Sequence, residues 1–294
     1  MSRNWKSSSA LALTALVAVT AVWGSTFLIV QNAVSRMPVM DFLAIRFALA
    51  ALVMLLLRPN CWRSLTRSGL WHGLLLGIVL GLGYIAQTFG LTLASATVSG
   101  FITGMFVPLT PVVAWIILRH KIDRLTWLAV LLATAGLALL GLRGWSIGIG
   151  ELLTLGCAIF FAFHIVGLGK WSPQHEPYGL TLIQISTVAV ISLIAAAPDG
   201  IAVPPDGEAW IAVGITAVLA TAVAFLVQTW AQALVSPTRA AVVMTMEPVF
   251  AGIFGVVIGG NRLTSQVIAG AICILVAMFM VQIKVVPGTE RQKN

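Results

Sequence analysis

The chain has 294 residues, of which 59% are hydrophobic and only 9% are Asp, Glu, Lys or Arg. Its formal net charge is +8 and its mean hydropathy is +1.01. A water-soluble domain of this length places far more charge on its surface, so that class is excluded.

Ten apolar stretches follow one another, each near the ~20 residues that a helix needs to cross ~30 Å of hydrocarbon. In chain order they run about 10–30, 39–57, 69–91, 96–118, 124–142, 147–169, 178–197, 208–233, 238–258 and 264–284. The first follows Arg3 and Lys6, as a signal peptide would. It is longer than a signal-peptide core and a second span follows closely, so it is read as a retained helix. The longest connectors, near 58–68 and 198–207, leave no room for a separate soluble domain. The expectation is a single all-α membrane domain over 1–294 with a frayed polar tail, VPGTERQKN.

With the N-terminus in the cytoplasm, that side collects Arg3, Lys6, Arg58, Arg63, Arg67, Arg119, Lys121, Arg124, Lys170, Arg239, Lys284, Arg291 and Lys293. The other side collects only Arg36, Arg143 and Arg262. The positive-inside rule therefore places both termini in the cytoplasm. The basic surplus faces anionic headgroups rather than nucleic acid. Three cysteines, Cys61, Cys157 and Cys273, form no CxxC and no disulfide framework.

The chain also repeats itself. VPLTPVVAWIILRHKIDRLTWLAVLL from Val107 lies against EPVFAGIFGVVIGGNRLTSQVIAGAI from Glu247, which pairs Pro108 with Pro248 at an offset of 140. Gln87-Thr88-Phe89 pairs with Gln228-Thr229-Trp230 at 141, and Trp23-Gly24-Ser25-Thr26 with Phe161-Ala162-Phe163-His164 at 138. Repeat one covers about 10–142 and repeat two about 147–284. Five spans per repeat force the second copy to enter the membrane from the opposite side. Two inverted five-helix repeats are characteristic of secondary transporters, with the substrate site between the halves.

On Trp23-Gly24-Ser25, Ala44-Ile45-Arg46-Phe47, the Gln87 and Gln228 segments, and Glu247-Pro248 with Asn261-Arg262-Leu263-Thr264, the chain resembles the EamA-type ten-helix branch of the drug/metabolite transporter superfamily. The resemblance covers nearly the whole chain. The family often carries Glu-Arg-Leu after the proline-containing span, where this chain has Lys121-Ile122-Asp123 and Asn261-Arg262-Leu263. Within the branch the chain is similar to YddG-type exporters. That resemblance implies export of aromatic and other neutral amino acids across a bacterial inner membrane.

Polar groups inside hydrocarbon need a partner or a wet cavity, so they mark the candidate site. Glu247 precedes Pro248, which removes a backbone donor and disfavours helix at the residue before it. Glu247 is read as a contact for a substrate amine, a proton carrier, or a structural acid. His164 is a second proton-coupling candidate or a neutral core histidine. Gln87 and Gln228 suit a zwitterion because an amide donates and accepts, or they bond helix to helix. Tyr84 shares the face of Gln87. Trp23, Phe101, Met105 and Phe163 are candidates for an aromatic-binding wall. Arg46 binds a substrate carboxylate or, the reading preferred, ties two helices together. Pro108, Pro111 and Pro248 are the expected kinks, and Gly77/Gly81 and Gly100/Gly104 the expected close-packing pairs.

The expectation is a monomeric alternating-access carrier for a small molecule, with no cofactor and no metal. Proton-coupled efflux of other small organic metabolites or drugs is the alternative. No GxxxxGK[ST] phosphate loop, HExxH or Ser–His arrangement points to an ATPase or enzyme. A channel would show rings of repeated polar side chains.

Overall fold

A computed structural model describes residues 2–119, 124–143, 146–260 and 264–283. The loops expected at Lys121-Ile122-Asp123 and Asn261-Arg262-Leu263 lie outside them, as does the polar tail. The helices are α1 (Ser2–Val34), α2 (Val39–Leu57), α3 (Arg67–Leu93), α4 (Ala96–Thr103), α5 (Phe106–Leu118), α6 (Arg124–Gly141) and α7 (Ile149–Trp171). There follow α8 (Pro177–Ala196), α9 (Gly207–Ala217), α10 (Ala224–Leu234), α11 (Pro237–Met244), α12 (Met246–Val257) and α13 (Ser265–Ile283). The class is all-α, with one short antiparallel pairing of Leu142–Arg143 with Ser146–Ile147 between α6 and α7.

Among the described residues seven stretches are long and apolar enough to cross a bilayer: Ser9–Val34, Val39–Leu57, Arg67–Leu93, Ala96–Ile117, Ile149–Gln174, Pro177–Asp199 and Gly207–Leu234. Trp127–Gly136, Met246–Val257 and Ser265–Ala277 are shorter apolar helices. Hydrocarbon offers the backbone no water, so each segment must close its hydrogen bonds internally, as a helix does. The ends are capped where polar side chains become available. Thr66, Ser95 and Asp206 accept from Gly69, Val98 and Ala209 N–H. Glu176 accepts from Gly179 N–H, with Pro177 in the first turn where its missing donor costs nothing.

Two helices break at equivalent places. Pro108 has no N–H for the Gly104 carbonyl, which accepts instead from Val107 at 3.1 Å, and α4 ends at Thr103. Pro248 likewise has none for Met244, and α11 ends there. The linking residues have nearly the same backbone, φ −59°, ψ −16° at Met105 and φ −61°, ψ −18° at Thr245. The residues that end α3 and α10, Ala94 and Val235, also match, at φ −127°, ψ 157° and φ −128°, ψ 150°. The breaks thus fall before the prolines, and Glu247 itself is helical, in the first turn of α12. Pro111 sits inside α5.

A third irregularity was not expected. Val218–Val223 is a π-helical turn between α9 and α10. Such a turn frees backbone carbonyls inside a span, and two cavity residues use it, as described below.

The helices pack as α3 on α7 and α8, α2 on α8, α1 on α12 and α10, α5 on α7, and α6 on α13. Small residues set the closest approaches. A Cβ on Gly24 would lie 2.5 Å from Phe250 Cβ and 2.8 Å from the Glu247 carbonyl. A Cβ on Gly100 would lie 2.5 Å from Ala251 Cβ. Two glycines on two helices therefore clasp the turn of α12 that begins with Glu247.

Candidate functional site

One cavity of about 560 Å³, including the space at its mouth, lies among α1, α2, α3, α5, α7, α10, α11 and α12. Helical periodicity supplies the wall. Trp23, Thr26, Phe27 and Val30 form one stripe of α1, and Leu80, Tyr84, Gln87 and Leu91 one stripe of α3. Phe161, His164 and Ile165 come from α7, Phe225 and Gln228 from α10, and Arg46, Phe106, Met244 and Glu247 from α2, α5, α11 and α12.

Of the residues singled out in the sequence, Trp23, Tyr84, Gln87, His164, Gln228 and Glu247 meet on this wall. Phe101, Met105 and Phe163 do not. Phe101 turns instead to a separate apolar groove with Gly252 and Ile268. Met105 is buried at the α4–α5 break. Phe163 packs outside the wall while Phe161, two residues earlier, faces the cavity. Pro108, Pro111 and Pro248 shape the helices but do not line the cavity. In the Gly77/Gly81 pair only one member is tightly placed: Gly77 meets Thr187, while Gly81 has ordinary contacts.

The aromatic lining is continuous. Phe225 lies 5.3 Å from Trp23, 5.9 Å from Tyr84 and 6.1 Å from His164 between ring centroids, and Tyr84 lies 5.5 Å from Phe161. Trp23 Nε1–H donates to the Ala220 carbonyl of the π turn at 2.8 Å. Arg46 Nε donates to Thr221 Oγ1 at 2.8 Å, and that hydroxyl donates to the Thr216 carbonyl at 2.8 Å. The guanidinium carbon stands 4.9 Å from the Tyr84 ring centroid. Arg46 is thus a helix tie, as preferred from the sequence, and also a wall residue, which the sequence reading undervalued.

The amides are held unequally. Gln87 Nε2 donates to Thr103 Oγ1 at 3.3 Å. Gln228 Nε2 donates to Gln232 Oε1 at 3.1 Å, and Gln228 Oε1 is buried with no partner among the described residues. Gln184 Nε2 donates to the Leu180 carbonyl, which leaves Gln184 Oε1 to accept from His164 Nε2 at 2.8 Å. Nε2 therefore carries a proton, and in the neutral ring Nδ1 is the acceptor. Among the described residues no group of three or more His, Cys, Asp or Glu could hold a metal ion.

Phe225 was missed although a signal existed. It precedes Gln228 by three residues, as Tyr84 precedes Gln87. Ion pairs sit away from the cavity, with Arg36 on Asp206 and Glu208 at one end and Arg58 on Glu176 at the other.

An aromatic, amide-bearing cavity inside a bundle of membrane-crossing helices defines a multi-pass membrane transporter for small molecules. The model of the EamA-like transporter family matches residues 10–142 and again 148–283, and the chain belongs to that family. It is similar to an "uncharacterized transporter" of Archaeoglobus fulgidus, 33% identical over 271 residues that cover 92% of this chain and 85% of the relative. A crystal structure with 17% identity covers 96% of this chain and 98% of its own, with a TM-score of 0.69, and shows the same fold. The protein is a transporter and not an enzyme.

Proposed function

We propose that the chain exports aromatic and other neutral amino acids, or related small metabolites, across a bacterial inner membrane by alternating access. In this reading ten spans form two inverted five-helix repeats, about 10–142 and 147–284. Here α4 with α5, α9 with α10, and α11 with α12 each count as one broken span.

The carrying observation is the wall itself. Trp23 with Phe161, Thr26 with His164, Phe27 with Ile165, Tyr84 with Phe225, and Gln87 with Gln228 all line one cavity. These are the pairs that the 138 and 141 offsets equate. The twin family match and the matching break geometry at Met105 and Thr245 support the same reading. A shared site built from both halves lets one design serve an inward and an outward gate. Aromatic faces suit an aromatic side chain, and amides suit an amino-acid head group. The distribution of Lys and Arg supports cytoplasmic termini. The protein is taken to act as a monomer.

Counterflow of radiolabelled phenylalanine or tryptophan in proteoliposomes tests the reading. Saturable exchange is expected; unsaturable flux would favour a channel. Glu247 and His164 on the wall favour one second reading, proton-coupled efflux of other organic metabolites or drugs. A pH gradient imposed on the same vesicles separates the two.

A further inference from the structure

Two groups of opposite charge type share this cavity without meeting. Arg46 is 2% exposed and Glu247 5% exposed, yet neither forms an ion pair among the described residues. Arginine stays charged even in an apolar setting, and an unpaired charge at membrane depth is costly. The Arg46 guanidinium is held by Nε on Thr221 Oγ1 and by Tyr84, and it lines the cavity. Thr221 is itself fixed by the π turn, which locks the arginine in place over Tyr84. On the acceptor side, Gln228 Oε1 is buried without a donor among the described residues, and Glu247 lines the same cavity.

We propose that Arg46 reads the α-carboxylate of the substrate while Gln228 Oε1 and Glu247 receive its ammonium, so that the site selects zwitterions. This rests on the amino-acid reading above and narrows it. The physical reason is charge balance. An arginine and an ionised glutamate together leave the cavity neutral, and a zwitterion keeps it neutral while giving each charge a counter-ion. A cationic amine would leave Arg46 uncompensated, and an anionic acid would leave Gln228 and Glu247 without a donor. Either mismatch strands a polar group in hydrocarbon, the situation that gives strong discrimination. The substrate side chain then lies against Trp23 and Phe225.

The test uses the full-length protein in proteoliposomes and three related probes: tryptophan, tryptamine without the carboxylate, and indole-3-propionate without the amine. Tryptophan is expected to exchange at least tenfold faster than either analogue. In Arg46→Gln the preference of tryptophan over tryptamine is expected to fall to within about twofold, while Arg46→Lys retains part of it. Equal exchange of tryptophan and tryptamine by the unaltered protein would overturn the proposal and leave the transport reading standing. Exchange of no amino acid at all would overturn both. The comparison of substrates needs no variant, so poor folding of Arg46→Gln does not blunt it.

Discussion

Gln232 Nε2 donates to the Ile165 carbonyl at 3.0 Å and so ties α10 to α7 immediately beyond the cavity residue Gln228. The same amide accepts from Gln228 through Oε1 at 3.1 Å, so wall and tie are one chain of hydrogen bonds. Replacing Gln232 with Leu, the residue found at the equivalent position 91, removes both bonds. Helix-to-helix hydrogen bonds in membranes average about 0.6 kcal/mol and reach about 1.7 kcal/mol. Gln232→Leu is expected to lower Tm in detergent by a few degrees and to weaken substrate binding through the loosened Gln228.

Gln228 and Gln87 separate by degree. Gln87→Ala removes one long bond to Thr103, while Gln228→Ala removes an acceptor that has no other occupant. Counterflow is expected to fall about tenfold or more for Gln228→Ala and less for Gln87→Ala, with membrane insertion intact in both, on the scale of one buried polar contact. Unchanged transport in both variants would remove the amide pair from the site.

Close approach at Gly24 makes a sharp contrast with Gly156. A methyl group on Gly24 would collide with Phe250 and the backbone of α12, whereas nothing lies within 4 Å of a methyl on Gly156. Gly24→Ala is expected to cost about 1–3 kcal/mol through overpacking and to displace Glu247 from the wall. Gly156→Ala is expected to be neutral or to gain up to about 1 kcal/mol from helix propensity. Thermal unfolding and counterflow on both variants check this.

The repeat carried most of the legible information. The match between the halves singled out Gln87 and Trp23, and helical spacing placed Tyr84 on the face of Gln87. The partners in the second half follow from the offset, and Phe225 would have followed from Tyr84. Phe101 and Phe163 were misplaced for the complementary reason: composition names an aromatic but not the face it occupies, and a neighbour two positions away points elsewhere. The π turn at 218–223 was invisible because VLATAV is ordinary helix-forming sequence. Its Ala220 carbonyl and Thr221 hydroxyl are used only once Trp23 and Arg46 arrive from distant helices.

His72 Nδ1 lies 2.8 Å from His175 Nε2, and the His72 ring stacks on Trp171 at 4.4 Å. The pair sits at the Arg58–Glu176 end and joins α3 to the turn between α7 and α8. Burial moves the His175 pKa downward, so folding favours its neutral form. The stability it contributes is present above the ordinary histidine range and is lost as pH falls below about 6.5. Two imidazolium rings would also repel as like charges, and neither would retain a lone pair to accept the bond. Tm is expected to fall between about pH 7 and pH 5, and the fall is expected to shrink in His175→Gln.

Glu247 decides between a carrier that moves protons and one that does not. Its carboxylate faces the cavity from the first turn of α12, held there by the close contacts of Gly24 and Gly100 with that helix. A carboxylate that binds and releases a proton in each cycle gives a transport rate that varies with pH, and its amide isostere cannot exchange that proton. Glu247→Gln is therefore expected to flatten the pH profile of counterflow while leaving the protein folded. An unchanged profile assigns Glu247 to holding substrate rather than protons. His164→Gln is the paired control, since His164 already donates to Gln184 and its replacement tests whether the second titratable group on the wall carries the proton instead.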